Sequence, residues 1–225
     1  MQNCYEVRSN LLLPHLAVNR GNIPEAMGSL VSLCGLTVMA GWFLNIGVLK
    51  SISPAWVSMK FSTALSFLLS GVILCFISRF QKKNSDLAVI ILPITSSIIL
   101  LFMTTLLAST VIGANVGVEE MFIKDSMTAV GNVTPGRPSV ATMINFIFIA
   151  IAGFLTSFDF KGFNKKLTII GTTVGLIGMI AVFGYILNQP LLYFAVPGKC
   201  SAVACHTAIL FAVWGLGLIL IERDK

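Results

Sequence analysis

The chain contains six stretches of about 20 mostly apolar residues, and this feature restricts its fold more than any other. A helix of about 20 such residues is long enough to cross the hydrocarbon core of a bilayer. The predicted spans run from about Met27 to Val48, Met59 to Ile77, Leu87 to Ile112, Val140 to Phe158, Leu167 to Leu187 and Ser201 to Ile221. Only 11% of the residues are charged, against about a quarter in a soluble domain. The sequence therefore predicts an all-α polytopic membrane protein with six transmembrane helices.

Three of the predicted helices begin with similar sequences. Each has a threonine four residues before a phenylalanine and then continues into a long apolar run. The three openings are Ser62 to Phe67, Ala141 to Phe146 and His206 to Phe211. A sequence that repeats along a chain usually marks a repeated structural unit. We therefore expect three repeated helical hairpins, each with one helix going out through the membrane and one returning.

Basic residues indicate the direction of the spans. Ten of the 15 lysines and arginines fall on the side that carries both termini. They are Arg8, Arg20, Arg79, Lys82, Lys83, Lys161, Lys165, Lys166, Arg223 and Lys225. Because basic loops stay on the cytoplasmic side, a multi-pass protein of the cell (inner) membrane with both termini in the cytoplasm is expected. Cytoplasmic segments 1–26 and 222–225 would then flank a membrane domain at 27–221.

The predicted spans lack charged residues in their middle thirds. Ion-coupled carriers, proton pumps and voltage sensors depend on such residues, so the sequence argues against these classes. No Walker A, Gly-x-Ser-x-Gly or His-Glu-x-x-His motif occurs either. Cys200, Cys205 and His206 match no standard zinc spacing, and His15 is the only other histidine. We therefore predict no catalytic residue, no metal site and no cofactor for this chain.

Polar residues near the outer starts of the three returning helices are the candidate ligand-binding set. They are Thr63, Thr142, Asn145, His206, Thr207, Lys60 and Arg137. The threonines either bond from helix to helix or line an outward-facing cavity. His206 is either a ligand contact or pH-sensing group, or an interfacial histidine bonded to a neighbouring backbone or hydroxyl group. Lys60 and Arg137, with Lys199, either form a cationic ring for an anionic ligand or extend to lipid headgroups.

The same polar residues predict which helix faces turn inward. Thr63, Ser66 and Ser70 share one helix face, and Thr142 and Asn145 share another. In lipid such groups must face protein, so the returning helices should surround a pseudo-threefold axis. Small residues that support close packing are Gly171, Gly175, Gly215, Gly217, Ala150 and Gly153. Trp42, Trp56, Tyr193 and Phe194 are expected at the membrane interface, although Trp56 and Tyr193 could also line an outer pocket.

Three segments together resemble a known family. Val133-Thr-Pro-Gly-Arg-Pro-Ser-Val-Ala-Thr-Met-Ile-Asn-Phe146 resembles a Pro-Gly-Arg-Met-x-Pro-Asn-Thr-Ala-Leu-x-Phe pattern. The segment from Phe183 to Tyr193 resembles Gly-Tyr-Leu-Tyr-Gly-x-x-x-Leu-Tyr, and that from Cys205 to Leu220 resembles Leu-His-Thr-Ala-Leu-x-Phe-Leu-Leu-Leu-Gly. These patterns occur in the N-terminal multi-helix membrane regions of prokaryotic PAS-containing sensor histidine kinases and diguanylate cyclases. Arg137 and His206 match the family's Arg and His, whereas Pro138 and Met143 depart from it.

The resemblance implies a membrane-embedded sensory input module of a signal-transduction receptor. An outer-side or bilayer signal would pass through the last helix to a cytoplasmic output domain or protein. Since the sequence stops about four residues after the last predicted span, this chain would be the input half of a longer receptor, which could be an enzyme, or would act on a separate partner. The other expected partners are the lipid bilayer and a second copy in a homo-oligomer, and none is a nucleic acid. The alternative function is a non-catalytic transport or permeation protein, or an accessory subunit of a membrane complex.

Overall fold

The computed structural model describes residues 22–53, 56–82, 86–114, 117–118, 123, 135–158, 163–194 and 201–221. These residues form α1 (Ile23–Phe43), α2 (Gly47–Lys50), α3 (Phe61–Gln81), α4 (Ala88–Ile112), α5 (Val140–Ser157), α6 (Phe163–Ile186), a 3-10 helix (Pro190–Tyr193) and α7 (Cys205–Ile219). No β-strand occurs within those ranges. The all-α class is therefore confirmed for the described part of the chain.

Within the described residues, five helices are long and apolar enough to cross a membrane, namely α1, α3, α4, α5 and α6. The sixth predicted span corresponds to α7, which has 15 residues. At 1.5 Å per residue its length is about 22 Å, shorter than the roughly 30 Å of a hydrocarbon core. The residues before it, 201–204, are not helical. The membrane class is supported, and the sixth crossing stays a prediction.

The first helix differs most from its predicted bounds. It begins at Ile23 rather than near Met27, with Pro24 in the first turn, where the missing N–H of a proline costs no helical hydrogen bond. It ends at Phe43 rather than Val48 because the chain reverses at Asn45, which has a positive φ of 55°. The Ile46 N–H then bonds the Gly41 carbonyl at 2.8 Å. The remaining residues of the predicted span form the separate short helix α2.

The most extensive contacts lie within three helix pairs: α1 with α3, α4 with α5, and α6 with α7. Smaller contacts join α3 to α4, α5 to α6 and α7 to α1, which closes the helices into a ring. Within it, α3 also contacts α5 and α7. The most apolar windows of α3 and α5 are 67% and 50% buried, against 28–33% for α1, α4 and α6. We refer to α3, α5 and α7 as the inner helices.

Glycines allow the first and last helix pairs to cross in the same way. In both pairs one glycine faces the alanine that follows the repeat threonine, and a second glycine, seven residues earlier, faces a glycine on the partner helix. A Cβ added to Gly35 would lie 2.7 Å from the carbonyl oxygen of Ala64, and one added to Gly178 would lie 2.7 Å from that of Ala208. One added to Gly28 would lie 2.8 Å from the carbonyl oxygen of Gly71, and one added to Gly171 would lie 3.0 Å from that of Gly215. The two crossings are thus equivalent at backbone level. In the middle pair Met143 replaces the alanine, and Gly153 faces the Ser96 hydroxyl instead.

Candidate functional site

The inner helices begin with the same backbone geometry. Each repeat threonine is the third residue of its helix, and the residue before each helix is extended, with φ between −66° and −70° and ψ between 147° and 153°. The carbonyl of each of these residues, Lys60, Ser139 and Ala204, accepts an N–H from four residues further on at 3.0 Å. The repeat noticed in the sequence is therefore also a repeat of local structure.

The phenylalanines of the three repeats meet at one point. The ring centroids lie 4.9 Å apart for Phe67 and Phe146, 4.9 Å for Phe67 and Phe211, and 5.0 Å for Phe146 and Phe211. The rings pack edge-on or tilted, as aromatic pairs prefer, and each is at most 1% exposed. This aromatic cluster occupies the space between the inner helices at that depth.

The repeat threonines are buried but do not bond to one another. Thr63, Thr142 and Thr207 are 2–3% exposed. The Thr142 hydroxyl lies 2.8 Å from the hydroxyl of Ser139, which also accepts the Thr142 N–H at 3.2 Å and so caps its own helix. Among the described residues no hydrogen bond joins the three threonine hydroxyls. The described contacts between the three inner helices at this level are therefore made by the phenyl rings rather than by bonds among the threonine hydroxyls.

Asn145 is the most unusual polar residue of the candidate set. It precedes a phenylalanine of the aromatic cluster and is 0% exposed. Neither its amide nitrogen nor its amide oxygen has a hydrogen-bond partner among the described residues. An unsatisfied buried group costs about 1–3 kcal/mol. The arrangement described here therefore places a destabilising group in the bundle interior.

The two described cations of the set are buried in the protein. Arg137 is 7% exposed, and its Nη2 donates to the Ser109 hydroxyl at 2.6 Å and to the Ala114 carbonyl at 2.9 Å. Both groups lie at the C-terminal end of α4, where a positive charge is favourable. Lys60, the residue immediately before α3, is 4% exposed. Arg137 thus joins the start of α5 to the end of α4 rather than extending to headgroups. The predicted third cation, Lys199, lies outside the described residues.

His206 lines a cavity of about 290 Å³ between α1, α2 and α7. The other lining residues are Cys34, Thr37, Val38, Val48, Leu49, Ser51, Ile52, Ile209 and Leu210. Both imidazole nitrogens are buried and have no hydrogen-bond partner within the described ranges. Among the described residues, therefore, neither nitrogen bonds to a neighbouring backbone or hydroxyl group. None of the three repeat threonines lines this cavity.

Two tryptophans make interhelical or loop-closing hydrogen bonds. The Trp214 indole N–H on α7 donates to the Ser70 carbonyl on α3 at 2.9 Å, and Trp214 is 0% exposed. The Trp42 indole N–H donates to the Met59 carbonyl at 2.9 Å, and Trp42 is 9% exposed. Trp214 was not among the residues predicted from the sequence. Its signal was an indole N–H within an apolar span, where it needs a protein partner.

An aromatic stack lies near the loops that precede the inner helices. The Trp56 ring is 5.2 Å from that of Tyr185, which stacks on Tyr193 at 4.4 Å. The Tyr185 hydroxyl donates to the Val203 carbonyl at 2.8 Å. Trp56 is 39% exposed, which suits a position at the membrane surface. These residues do not line the cavity that contains His206.

Ionic and amide contacts join three helices at the opposite end of the bundle. The Glu25 carboxylate on α1 lies 3.1 Å from Arg79 Nε and 2.6 Å from Lys82 Nζ. Beside them the Gln81 side-chain amide donates to the Asn164 side-chain oxygen on α6 at 3.1 Å. From the sequence, Arg79 and Lys82 indicated only the orientation of the spans. Their shared carboxylate ties the end of α3 to the start of α1.

The described residues contain no group of three or more His, Cys, Asp or Glu side chains that could hold a metal ion. Cys34, Cys75 and Cys205 are free thiols. Cys200 lies outside the described residues.

No family model matches the chain, and no curated protein and no solved structure is significantly similar to it.

Proposed function

We propose that this chain is a membrane-embedded sensory input module of a signal-transduction receptor. Its six spans form three repeated hairpins in the cell (inner) membrane, with both termini in the cytoplasm. A signal from the outer side or from the bilayer changes the packing of the inner helices. The last helix, α7, carries that change to a cytoplasmic output domain or partner protein.

The amide of Asn145, which has no hydrogen-bond partner among the described residues, is the observation that carries this proposal. It lies beside the aromatic cluster, where α3, α5 and α7 share a contact. Its cost of about 1–3 kcal/mol is similar to the few kcal/mol that separate two populated conformations of a switching protein. A second packing of the inner helices that satisfies the amide would therefore be close in free energy. A signal needs only to favour one of the two arrangements.

Two further features support a sensory role. The family resemblance includes Arg137 and His206, and these residues hold distinctive positions: Arg137 joins α4 to α5, and His206 lines the cavity between α1 and α7. The α7 helix contacts both α3 and α1. A change at its outer end is therefore transmitted along one continuous helix to the residues that follow Ile219.

Spin-label distances between the ends of α5 and α7 test the proposal. Phe158 and Leu220 lie at these ends and are 63% and 44% exposed, so labels at Phe158→Cys and Leu220→Cys are tolerated in a background without the native cysteines. We expect two distance populations in nanodiscs. Asn145→Leu should leave a single population, because leucine has no amide group for the second packing to satisfy.

Ile144→Leu is the matched control, since Ile144 is the neighbouring residue on α5 and is 36% exposed. It should leave both populations as they are. A single narrow distance in the unmodified protein that Asn145→Leu does not change would contradict the proposal.

An accessory subunit is the second candidate function, and one feature favours it. An apolar groove of about 350 Å³ lies between α6 and α7, lined by residues that include Gly171, Gly175 and Leu216. Small residues at such a surface allow another transmembrane helix to approach closely. Permeation is less favoured, because the aromatic cluster fills the space between the inner helices. A Gly175→Leu variant that loses a defined oligomer in nanodiscs, with its distance populations unchanged, would favour the subunit function.

A further inference from the structure

We infer that the cavity between α1, α2 and α7 binds one small uncharged amphiphile, with a hydrocarbon body and a single hydroxyl or carbonyl group that bonds to His206. The inference rests on the proposed sensory function and names the chemical class of its ligand. The volume of about 290 Å³ is at the lower end of the range of small-molecule sites, about 300–1,000 Å³.

The polar groups around the cavity leave the imidazole as the group that needs a ligand. The Thr37 hydroxyl donates to the Leu33 carbonyl of its own helix at 2.8 Å. The Ser51 hydroxyl is within hydrogen-bond distance of the Ser53 carbonyl at 2.7 Å and the Trp56 carbonyl at 3.2 Å. Both His206 nitrogens, in contrast, have no partner in the part of the chain described. Because both atoms are covered in this rotamer, the imidazole ring must turn toward the cavity to bond a ligand. A neutral imidazole offers one donor and one acceptor. A ligand hydroxyl group can bond to either nitrogen, and a ligand carbonyl group can accept from the protonated one.

The composition of the lining excludes a charged ligand. The ten residues that line the cavity include no Asp, Glu, Lys or Arg. An ion placed there would lose its hydration without gaining an opposite charge, which is strongly unfavourable. A plain acyl chain would fit the apolar walls but would leave both imidazole nitrogens unsatisfied. The lining therefore favours a neutral molecule with one hydrogen-bonding group.

The position of the cavity connects it to the centre of the bundle. Leu210 lines the cavity, and the next residue, Phe211, belongs to the aromatic cluster. A ligand that fills the space between α1 and α7 would therefore act on the helix that carries one third of the cluster. This gives the bound molecule a direct route to the packing of the inner helices.

Nitrogen-15 spectra of the imidazoles provide the test, because the full chain has only two histidines. The protein in nanodiscs is titrated with 1-decanol and, separately, with n-decane, which has the same chain length without the hydroxyl group. We expect 1-decanol to shift the His206 nitrogen signals saturably. We expect n-decane to bind at least tenfold more weakly, since 1.4 kcal/mol of lost hydrogen bonding corresponds to a factor of ten.

Photolabelling extends the test to variants without this imidazole. A decanol that carries a diazirine is mapped by mass spectrometry, and unlabelled 1-decanol and n-decane compete with it. In His206→Leu the two competitors should be equally effective, whereas His206→Gln, which can still donate and accept, should restore a preference for the alcohol. Leu216→Phe, in the groove between α6 and α7, is the control and should leave the preference unchanged.

The possible results separate the inference from the proposed function. Absence of a saturable shift, or equal binding of the alcohol and the alkane to the unmodified protein, would overturn the inference and leave the distance test of α5 and α7 unaffected. A saturable, His206-dependent preference for the alcohol supports the inference. The spin-label distances between the ends of α5 and α7 are then measured with 1-decanol bound and in Asn145→Leu. If neither condition changes these distances, the cavity inference holds and the sensory function fails.

Discussion

The buried polar side chains fall into two groups, those with a hydrogen-bond partner and those without one among the described residues. The Trp214 indole has one across two inner helices, whereas the Asn145 amide and the His206 imidazole have none among the described residues. The sequence could predict that Asn145 and Thr142 face protein, because a polar group in an apolar span must do so. It could not predict their partners, since those depend on the rotation of each helix and on rotamers that the sequence pattern does not fix.

Replacement of Trp214 tests the bond between α7 and α3. Trp214→Phe removes the N–H that donates to the Ser70 carbonyl. It should lower the free energy of unfolding by about 1–2 kcal/mol, because an interhelical hydrogen bond is lost and the smaller ring fills less of the space. Unfolding in an SDS titration measures the change. Trp56→Phe, at a residue 39% exposed, should have a much smaller effect. Equal effects of the two substitutions would count against the bond.

Replacement of Asn145 should have the opposite sign. Asn145→Leu exchanges an unsatisfied buried amide for an apolar group of similar size and should stabilise the protein by about 1–3 kcal/mol. The same SDS titration applies, with Ile144→Leu as the control near zero. A clear loss of stability would mean that the amide has partners in the folded protein.

At the scale of helices, the apolar runs predicted the positions of α3, α4 and α5 to within about four residues. The prediction was weaker where the chain turns. The apolar pattern missed α2 and the 3-10 helix. The short helix α2 follows a turn at Asn45, which has a positive φ, and the 3-10 helix follows Gln189, which is extended. It also started the last helix too early, at Ser201 rather than Cys205. The glycines at 28 and 35 were overlooked, although their seven-residue spacing equals that of Gly171 and Gly178.

The equivalent glycine crossings should respond alike to substitution. Gly71→Ala would bring a Cβ against the Gly28 carbonyl and the Ser32 side chain, and Gly215→Ala would bring one against the Gly171 carbonyl and the Gly175 backbone. Each should lower stability by several kcal/mol or prevent assembly of its helix pair, because the contacts are with backbone atoms that cannot move alone.

Gly175→Ala is the matched control for these substitutions. Its Cβ would have its nearest neighbour at 3.7 Å, an ordinary van der Waals distance, and alanine favours a helix. Thermal unfolding in detergent should show a small change for this variant and a large one for the other two. Similar effects of all three would mean that the helix pairs do not cross at these glycines.

For the whole molecule, the arrangement of six helices in a ring follows from contacts far apart in the sequence. The sequence repeat predicted that the returning helices would converge, and the phenylalanines do meet. The cavity could not be predicted in this way. It lies where the first and last of the described helices meet, between Cys34 and His206, and only the closed ring brings these residues together.

Membrane topology is a separate prediction at this scale. With both termini in the cytoplasm, Ser53→Cys lies outside and Asp86→Cys lies inside. In a background without native cysteines, a membrane-impermeant maleimide added to intact cells should label the first and not the second. Both should react after permeabilisation. Labelling of Asp86→Cys in intact cells would reverse the orientation.

The central claim is that the three repeats bring α3, α5 and α7 together around a single aromatic cluster. Mutant cycles on the free energy of unfolding test it most directly, with Phe67→Leu, Phe146→Leu and Phe211→Leu measured singly and in pairs. The account predicts a coupling of about 0.5–1.5 kcal/mol for every pair. The control pair is Phe67→Leu with Phe154→Leu, because Phe154 stacks on Phe158 rather than on the cluster. The effects of these two substitutions should be additive within about 0.5 kcal/mol. Additive effects for the three cluster pairs would show that the repeats do not share a core, and would contradict the account.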